Sequence, residues 1–228
     1  CLPLLRLWPD GDILITLTLF RIAVPFFFMI SGYYVFSDLA TQNSYPARQR
    51  VWHFIKKQLQ VYLIATLLFL PLAWYSGMLG LNMPLGTFIQ TLLVNGILYH
   101  LWYFPAIITG SLLVMGLLVR FSFKQVFFMA IGLYVIGLGG DSWSGLAAQT
   151  PLASFYSLIF QLLAGTRNGI FFAPLFLLLG VLARRFAQKS ASPHRYSYLM
   201  ISLICLLLES YLLHHFTTPK HDSMYIFL

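Results

Sequence analysis

The chain has 228 residues, of which 59% are hydrophobic and only 9% are charged. A soluble domain carries about 25% charged residues, so this composition excludes an ordinary soluble protein. The formal net charge of +8 would suit a nucleic-acid ligand, but in so apolar a chain it indicates basic loops on the cytoplasmic side of a membrane. We therefore expect the lipid bilayer, and no nucleic acid, as the partner.

Apolar runs long enough to cross the membrane recur along the chain, since a helix needs about 20 residues to span the hydrocarbon core. The sequence therefore predicts an all-α, polytopic membrane protein that forms a single transmembrane domain over residues 1–228. It contains about six complete transmembrane helices, at residues 13–36, 59–76, 101–119, 125–140, 169–184 and 197–213.

Three further segments are too short or too charged to be spans. Residues 86–98 and 151–165 are apolar and predict interfacial or re-entrant helices. Residues 46–58 combine basic and apolar side chains, a pattern that predicts a separate amphipathic helix lying on the membrane surface.

The basic residues are distributed unevenly between alternate loops. Ten of the fourteen fall after the first, third and fifth spans, and the other side holds only Arg6, Arg167 and Lys220. The positive-inside rule therefore places residues 1–12 outside the membrane, and the loops 37–58, 120–124 and 185–196 in the cytoplasm. A chain that starts outside without a signal peptide, and ends on the apolar "MYIFL", is expected to be a piece of a larger protein, truncated at both ends.

One permanent charge lies inside the first predicted span. Arg21 shares a helical face with Pro25, which we expect to kink the helix toward that face. Glu209 is the single acidic residue within a span, and both charges fall in the outer half of the membrane. A charge at such depth needs a partner or water. The two residues therefore form either a structural ion pair or part of an outward polar cavity that binds substrate.

Other candidate binding residues flank the spans on the outer side. His100 lies beside Trp102 and Tyr103, which indicates either an aromatic belt or a ligand-facing histidine. Arg167 and Asn168 precede the fifth span, where a helix N-terminus with an arginine can hold a carboxylate, or where the pair forms a loop with a helix cap.

Two lysines mark the cytoplasmic surface. Lys56 and Lys57 fit contacts with anionic lipid headgroups, or alternatively with the phosphates of a cytoplasmic donor such as acyl-CoA. The sequence contains two cysteines in unrelated positions and no convincing cluster of metal ligands, so no metal site is predicted.

Four stretches together resemble the acyltransferase family 3 membrane proteins: "FRIAVPFFFMISGYYVF", "FIKKQLQVY", "ILYHLWYFPAIITG" and "NGIFFAPLFLLLGVLARR". The segments "GLGGDSW" and "PKHDSMY" are most similar to the membrane part of the membrane-bound serine racemases of vancomycin-resistant bacteria. The resemblance implies a bundle of about ten helices. Family members move acyl groups, often acetyl, from a cytoplasmic donor to sugars or cell-wall material outside.

The racemases instead carry a cytoplasmic pyridoxal phosphate domain downstream, which makes D-serine, and their membrane part is associated with L-serine supply. The family's first-helix histidine has no counterpart in this chain, and no lysine here has a pyridoxal-binding context, so the catalytic residues are unknown. Three hypotheses remain open: a module that binds and imports L-serine, an acyltransferase that uses acyl-CoA with an outer acyl acceptor, and a structural anchor for a racemase.

The Arg21–Glu209 pair gives the first testable prediction. Arg21→Gln and Glu209→Gln should each destabilise the protein by about 3–5 kcal/mol, because either change leaves an unpaired buried charge. The double variant should lose less than the sum of the single losses, as measured by denaturant unfolding in detergent. Strictly additive losses would show that the two side chains do not interact.

Overall fold

The computed structural model describes residues 22–77, 79, 83–189, 201, 204–209 and 211–212, and every regular element within them is helical. The all-α prediction is therefore confirmed for this part of the chain. The helices are α1 Ala23–Thr41, α2 Tyr45–Tyr75, α3 Leu85–Asn95, α4 Tyr103–Arg120, α5 Phe123–Gly139, α6 Ser144–Ala147, α7 Ala153–Leu163 and α8 Ala173–Lys189. Residues 204–209 form a further helical segment.

Three of the described helices, α1, α2 and α4, are long and apolar enough to cross a membrane. Helices α5 and α8 have 17 residues each and occupy the predicted fourth and fifth spans, although α8 begins later than expected. The predicted spans 13–36 and 197–213 lie partly outside the described residues. The lengths and the apolar composition of the described helices are typical of a helical membrane protein.

The prediction of a separate surface helix at residues 46–58 is wrong. Residues 45–75 form one continuous helix of 31 residues, so the basic segment is the first part of the same helix as the apolar segment that follows it. Pro46 lies at the start of this helix, where its missing amide costs no hydrogen bond. The connection predicted as the loop 37–58 is reduced to residues 42–44 between α1 and α2.

Helix α2 runs antiparallel to α4. Tyr45 and Trp52 lie beside the last residues of α4, and the Tyr62 ring stacks on Phe104 near the start of α4 at 6.0 Å. The first half of α2 therefore runs alongside the whole of α4. Beyond Tyr62, most of the large side chains of α2 are exposed and apolar, as expected for a surface that faces lipid.

The short helices α3 and α7 confirm that residues 86–98 and 151–165 contain helices, while their depth in a membrane stays a prediction. They contact each other through a hydrogen bond of 3.0 Å that the Gln90 side chain donates to the Gln161 carbonyl. The Tyr62 hydroxyl donates to the Leu92 carbonyl at 2.6 Å and holds α3 against α2.

Helix α8 is the centre of the bundle and packs against α1, α4 and α5. Its contact with α1 is a close approach of two backbones: a Cβ atom on Gly32 would clash with the Leu177 carbonyl, and one on Gly180 would clash with the Met29 carbonyl. Helix α1 contains a π-helical turn at Gly32–Phe36, directly at this crossing. The core around α8 is aromatic and aliphatic, and includes Phe28, Phe36, Phe172, Phe176, Leu177 and Val181.

The kink predicted at Pro25 lies at the edge of the described chain. Pro25 is buried in the first turn of α1 as described, and the segment that would bend relative to it precedes residue 22. The bend therefore stays a prediction. The distortion that the structure does show in α1, the π-helical turn, was not expected from the sequence.

The basic loops meet at one end of the bundle, which we call the basic end. The Asn43 side chain donates to the carbonyls of Leu118 at 3.4 Å and Val119 at 3.3 Å, and Arg185 donates to the Ala40 carbonyl at 2.8 Å. The α1–α2 connection, the end of α4 and the end of α8 therefore lie together, as the alternation of basic loops predicted. That this end faces the cytoplasm stays a prediction.

The α1–α8 crossing gives a second testable prediction. Gly180→Leu should destabilise the protein by about 1–3 kcal/mol or prevent its folding, because its side chain has to push the α1 backbone away. The measurement is the midpoint of thermal unfolding in detergent. Gly132→Leu is the matched control, since a Cβ atom there meets nothing within 4 Å. Equal midpoints for the two variants would contradict the close crossing.

Candidate functional site

A cavity of about 460 Å³ lies at the end of the bundle opposite the basic end, which we call the cavity end. Four segments enclose it: the end of α3 with Gly96, the turn before α4 with Trp102, the end of α5 with Asp141, and residues 163–167 after α7. The cavity is open to the outside of the bundle and combines apolar walls with several polar groups.

The 163–167 wall is held rigidly by local backbone conformation and hydrogen bonds. Helix α7 is followed by Ala164, whose φ of 55° turns the chain into the left-handed region. The Asn168 side chain accepts hydrogen bonds from the amides of Ile170 at 2.8 Å and Phe171 at 3.1 Å, and donates to the Gly165 carbonyl at 3.0 Å. These bonds fix the direction in which the intervening Arg167 leaves the backbone.

An ion pair lies in the cavity wall. Arg167 contacts the Asp141 carboxylate at 3.2 Å, and the two side chains are only 18% and 13% exposed. The Arg167 guanidinium also lies over the Trp102 ring, 5.8 Å from its centre, as in a cation–π contact. The pair joins the end of α5 to the start of α8, and the indole shields one side of the guanidinium.

A second buried acidic side chain lies near Tyr134 on α5. Glu209 is buried at 5% exposure, and Tyr134 on α5 is within electrostatic reach of Glu209, Arg167 and Asp141. Leu206, one turn before Glu209, packs against Ile22 and Trp143. The helical segment 204–209 therefore places a buried acidic side chain near α5. Arg21 lies outside the described residues, so the predicted Arg21–Glu209 pair stays a prediction.

The structure brings some of the predicted site residues together and separates others. Arg167 and Trp102 line the cavity, whereas the Asn168 side chain is occupied by the amides of Ile170 and Phe171 in the turn before α8. The Tyr103 ring packs on Phe28 at 4.9 Å, in the core between α4 and α1. His100 lies in the 3₁₀ turn Tyr99–Trp102, and its side chain is outside what the structure describes.

The two predicted cytoplasmic lysines are exposed on α2. The Lys56 ammonium lies 5.8 Å from the centre of the Trp52 ring, one turn nearer the basic end. The Lys56 side chain therefore points as a lysine does when it extends along an apolar surface toward water. Whether Lys56 or Lys57 contacts a headgroup or a donor stays a prediction.

Asp141 is the residue that the sequence analysis missed, because only Arg167 and Asn168 were considered in this region. A usable signal was present: the aspartate follows Gly139 and Gly140 at the end of an apolar helix, on the side where Arg167 was expected. Opposite charges placed at neighbouring helix ends on one side of a membrane can pair.

The paired charges determine what this cavity can bind. A guanidinium can hold a carboxylate through two parallel hydrogen bonds, and an aspartate can accept from an ammonium group. The pair is therefore suited to a zwitterion. Within the described part of the chain, no three His, Cys, Asp or Glu side chains are grouped so that they could hold a metal ion.

The Arg167–Asp141 pair gives a third testable prediction. Arg167→Gln and Asp141→Asn should each lower the free energy of unfolding by about 3–5 kcal/mol, and the double variant by less than the sum. Arg50→Gln is the control: Arg50 also pairs with an aspartate, Asp38, but the side chains are 54% and 39% exposed, so the loss should be about 0–1 kcal/mol. Equal losses for Arg167→Gln and Arg50→Gln would contradict the role of burial.

Comparison with known proteins places the chain in a family. The acyltransferase domain family Acyl_transf_3 matches residues 2–228. The chain is 67% identical over 228 residues to a serine/alanine racemase of Enterococcus gallinarum, covering 100% of this chain and 33% of that protein. Two amino-acid racemases of Enterococcus faecalis are 42% and 40% identical over 99% of the chain, which covers 32% and 31% of them.

The chain therefore spans about a third of the length of these curated relatives. No solved structure matches it. The match to the family covers nearly all residues and agrees with the helical, membrane-spanning character of the bundle. The chain belongs to the Acyl_transf_3 family of acyltransferase-type membrane domains.

Proposed function

We propose that this domain binds L-serine in the cavity beside Arg167 and imports it across a bacterial cell membrane for D-serine production in vancomycin resistance. The observation that carries the proposal is the Arg167–Asp141 pair in the wall of an open cavity of about 460 Å³. This volume lies within the range of about 300–1,000 Å³ of small-molecule sites. The name of the 67% identical relative, serine/alanine racemase, supports serine as the substrate.

The charges supply the recognition. The serine carboxylate would accept hydrogen bonds from Arg167, and its ammonium group would donate to Asp141, so that the ligand replaces the contact between the two side chains. The Trp102 ring covers the guanidinium on one side and restricts the carboxylate to the other. The polar side chains of Thr91 and Asn95 also line the cavity and can bond to the serine hydroxyl.

Pyridoxal phosphate does not fit this part of the protein. It requires a lysine amine for its Schiff base. Lys56, Lys57 and Lys124 are exposed on the outer faces of α2 and α5, and no lysine in the described part of the chain lines the cavity. We assign the cofactor to a cytoplasmic racemase domain downstream, as a partner that would receive the imported serine.

Uptake by proteoliposomes tests the proposal and is the fourth prediction. Vesicles that contain the protein should accumulate labelled L-serine, and Arg167→Gln should reduce uptake by about 10-fold or more, the value of a charge-assisted hydrogen bond. Arg167→Lys should restore part of the uptake, since it keeps the charge but not the two-pronged geometry. Arg50→Gln, at the opposite end of the bundle, should transport normally.

Each other outcome would contradict import. Transfer of an acetyl group from acetyl-CoA to an external sugar, without serine uptake, would establish the acyltransferase alternative. If correctly folded protein shows neither serine uptake nor acetyl transfer, the structural-anchor hypothesis is the one that remains. Equal uptake by wild-type protein and Arg167→Gln would show that serine does not pass through the cavity.

A further inference from the structure

A second pocket lies at the basic end, far from the cavity. It is a groove of about 430 Å³ between the start of α2 and the end of α4. Two arginines, two aromatic side chains and an apolar floor line it: Arg48, Arg120, Tyr45, Trp52, Met115 and Val119. We call it the α2–α4 groove.

The two arginines are brought together by the fold. Arg48 Nε donates to the Asn43 side-chain oxygen at 2.7 Å, and the Asn43 amide donates in turn to the carbonyls of Leu118 and Val119. This chain of hydrogen bonds fixes Arg48 to the last turn of α4, which ends at Arg120. Two guanidinium groups at the rim of one groove repel each other unless an anion lies between them.

The side chains on the floor and rim of the groove are typical of a site at the membrane surface. Gly116 opens the floor, since a Cβ atom there would meet nothing within 4 Å. Met115 and Val119 make the floor apolar, and exposed Trp52 stands at the rim as interfacial aromatic residues do. The Lys56 ammonium over the Trp52 ring adds a third positive charge beside the groove.

We propose that the α2–α4 groove binds one anionic phospholipid of the surrounding membrane. Its phosphate lies between Arg48 and Arg120, and the first part of an acyl chain lies over Gly116. The apolar floor favours a lipid over a soluble nucleotide donor, because a nucleotide would place polar groups against Met115 and Val119. The site differs from the Lys56 and Lys57 contacts that the sequence suggested, since neither lysine is among the groove-lining residues and Lys56 lies only beside the groove.

Lipid binding in neutral detergent tests the proposal. Native mass spectrometry should show one phosphatidylglycerol retained per protein, and phosphatidylcholine with the same acyl chains should be lost. Arg48→Gln combined with Arg120→Gln should weaken phosphatidylglycerol binding roughly 30-fold, since each basic residue near an anionic lipid contributes about a fivefold factor. Lys57→Gln, which removes a neighbouring charge outside the groove, should bind normally.

A steric variant separates a defined site from general attraction by a basic surface. Gly116→Phe keeps every charge but fills the groove, and should weaken phosphatidylglycerol binding as strongly as the double arginine change. Gly132→Phe is the matched control, because it also introduces a ring at an open helix position but on α5. If Gly116→Phe retains the lipid, or if Lys57→Gln loses it, the defined site does not exist. If coenzyme A or inorganic phosphate displaces the lipid at equal concentration, the groove is a phosphate site for a soluble ligand, and the proposal fails.

Discussion

The close approach of α8 to α1 and α4 is the constraint on which the rest of the structure depends. Gly32 and Gly180 let the α1 and α8 backbones touch, and Gly169 approaches Gly110 in the same way beside α4. Since lipid is as apolar as the helix surfaces, helices in a membrane associate through such close packing rather than through the hydrophobic effect. This packing fixes the start of α8, and with it the turn that presents Arg167 to the cavity.

The fold class and most helices could be predicted because they depend on local sequence. Apolar length indicates a span, and the charged residues between spans indicate the connections. The same reasoning failed at residues 46–58. A basic amphipathic pattern shows which face of a helix is exposed to water, but it does not show at which residue the helix ends. Nothing between Gln58 and Leu59 interrupts the helix, so the polar half and the apolar half form one rod.

The candidate site could be predicted only in part, because its central contact is not local. Arg167 and Trp102 were found as polar or amphipathic side chains beside predicted spans. Asp141 contacts Arg167 from 26 residues away, and the packing of α5 beside α8 brings the two side chains together. Tyr103 was grouped with its neighbour Trp102, but one residue rotates a helix by about 100°, which carries the Tyr103 ring to Phe28 in the core.

The two ends of the bundle hold their charges differently, and this difference matters for the proposed import. At the basic end, Asp38 pairs with Arg50 and Arg184, and all three side chains are partly exposed, so each contact contributes about 0–1 kcal/mol. At the cavity end, the Arg167–Asp141 pair is largely buried and joins α5 to α8. A zwitterion that engages both of these side chains takes over their contact and loosens that joint. Binding would therefore shift the balance between the two ends, because a ligand favours the arrangement to which it binds more tightly. If the proposed import involves opening of the basic end, the weaker pairs around Asp38 are the contacts that would separate at least cost.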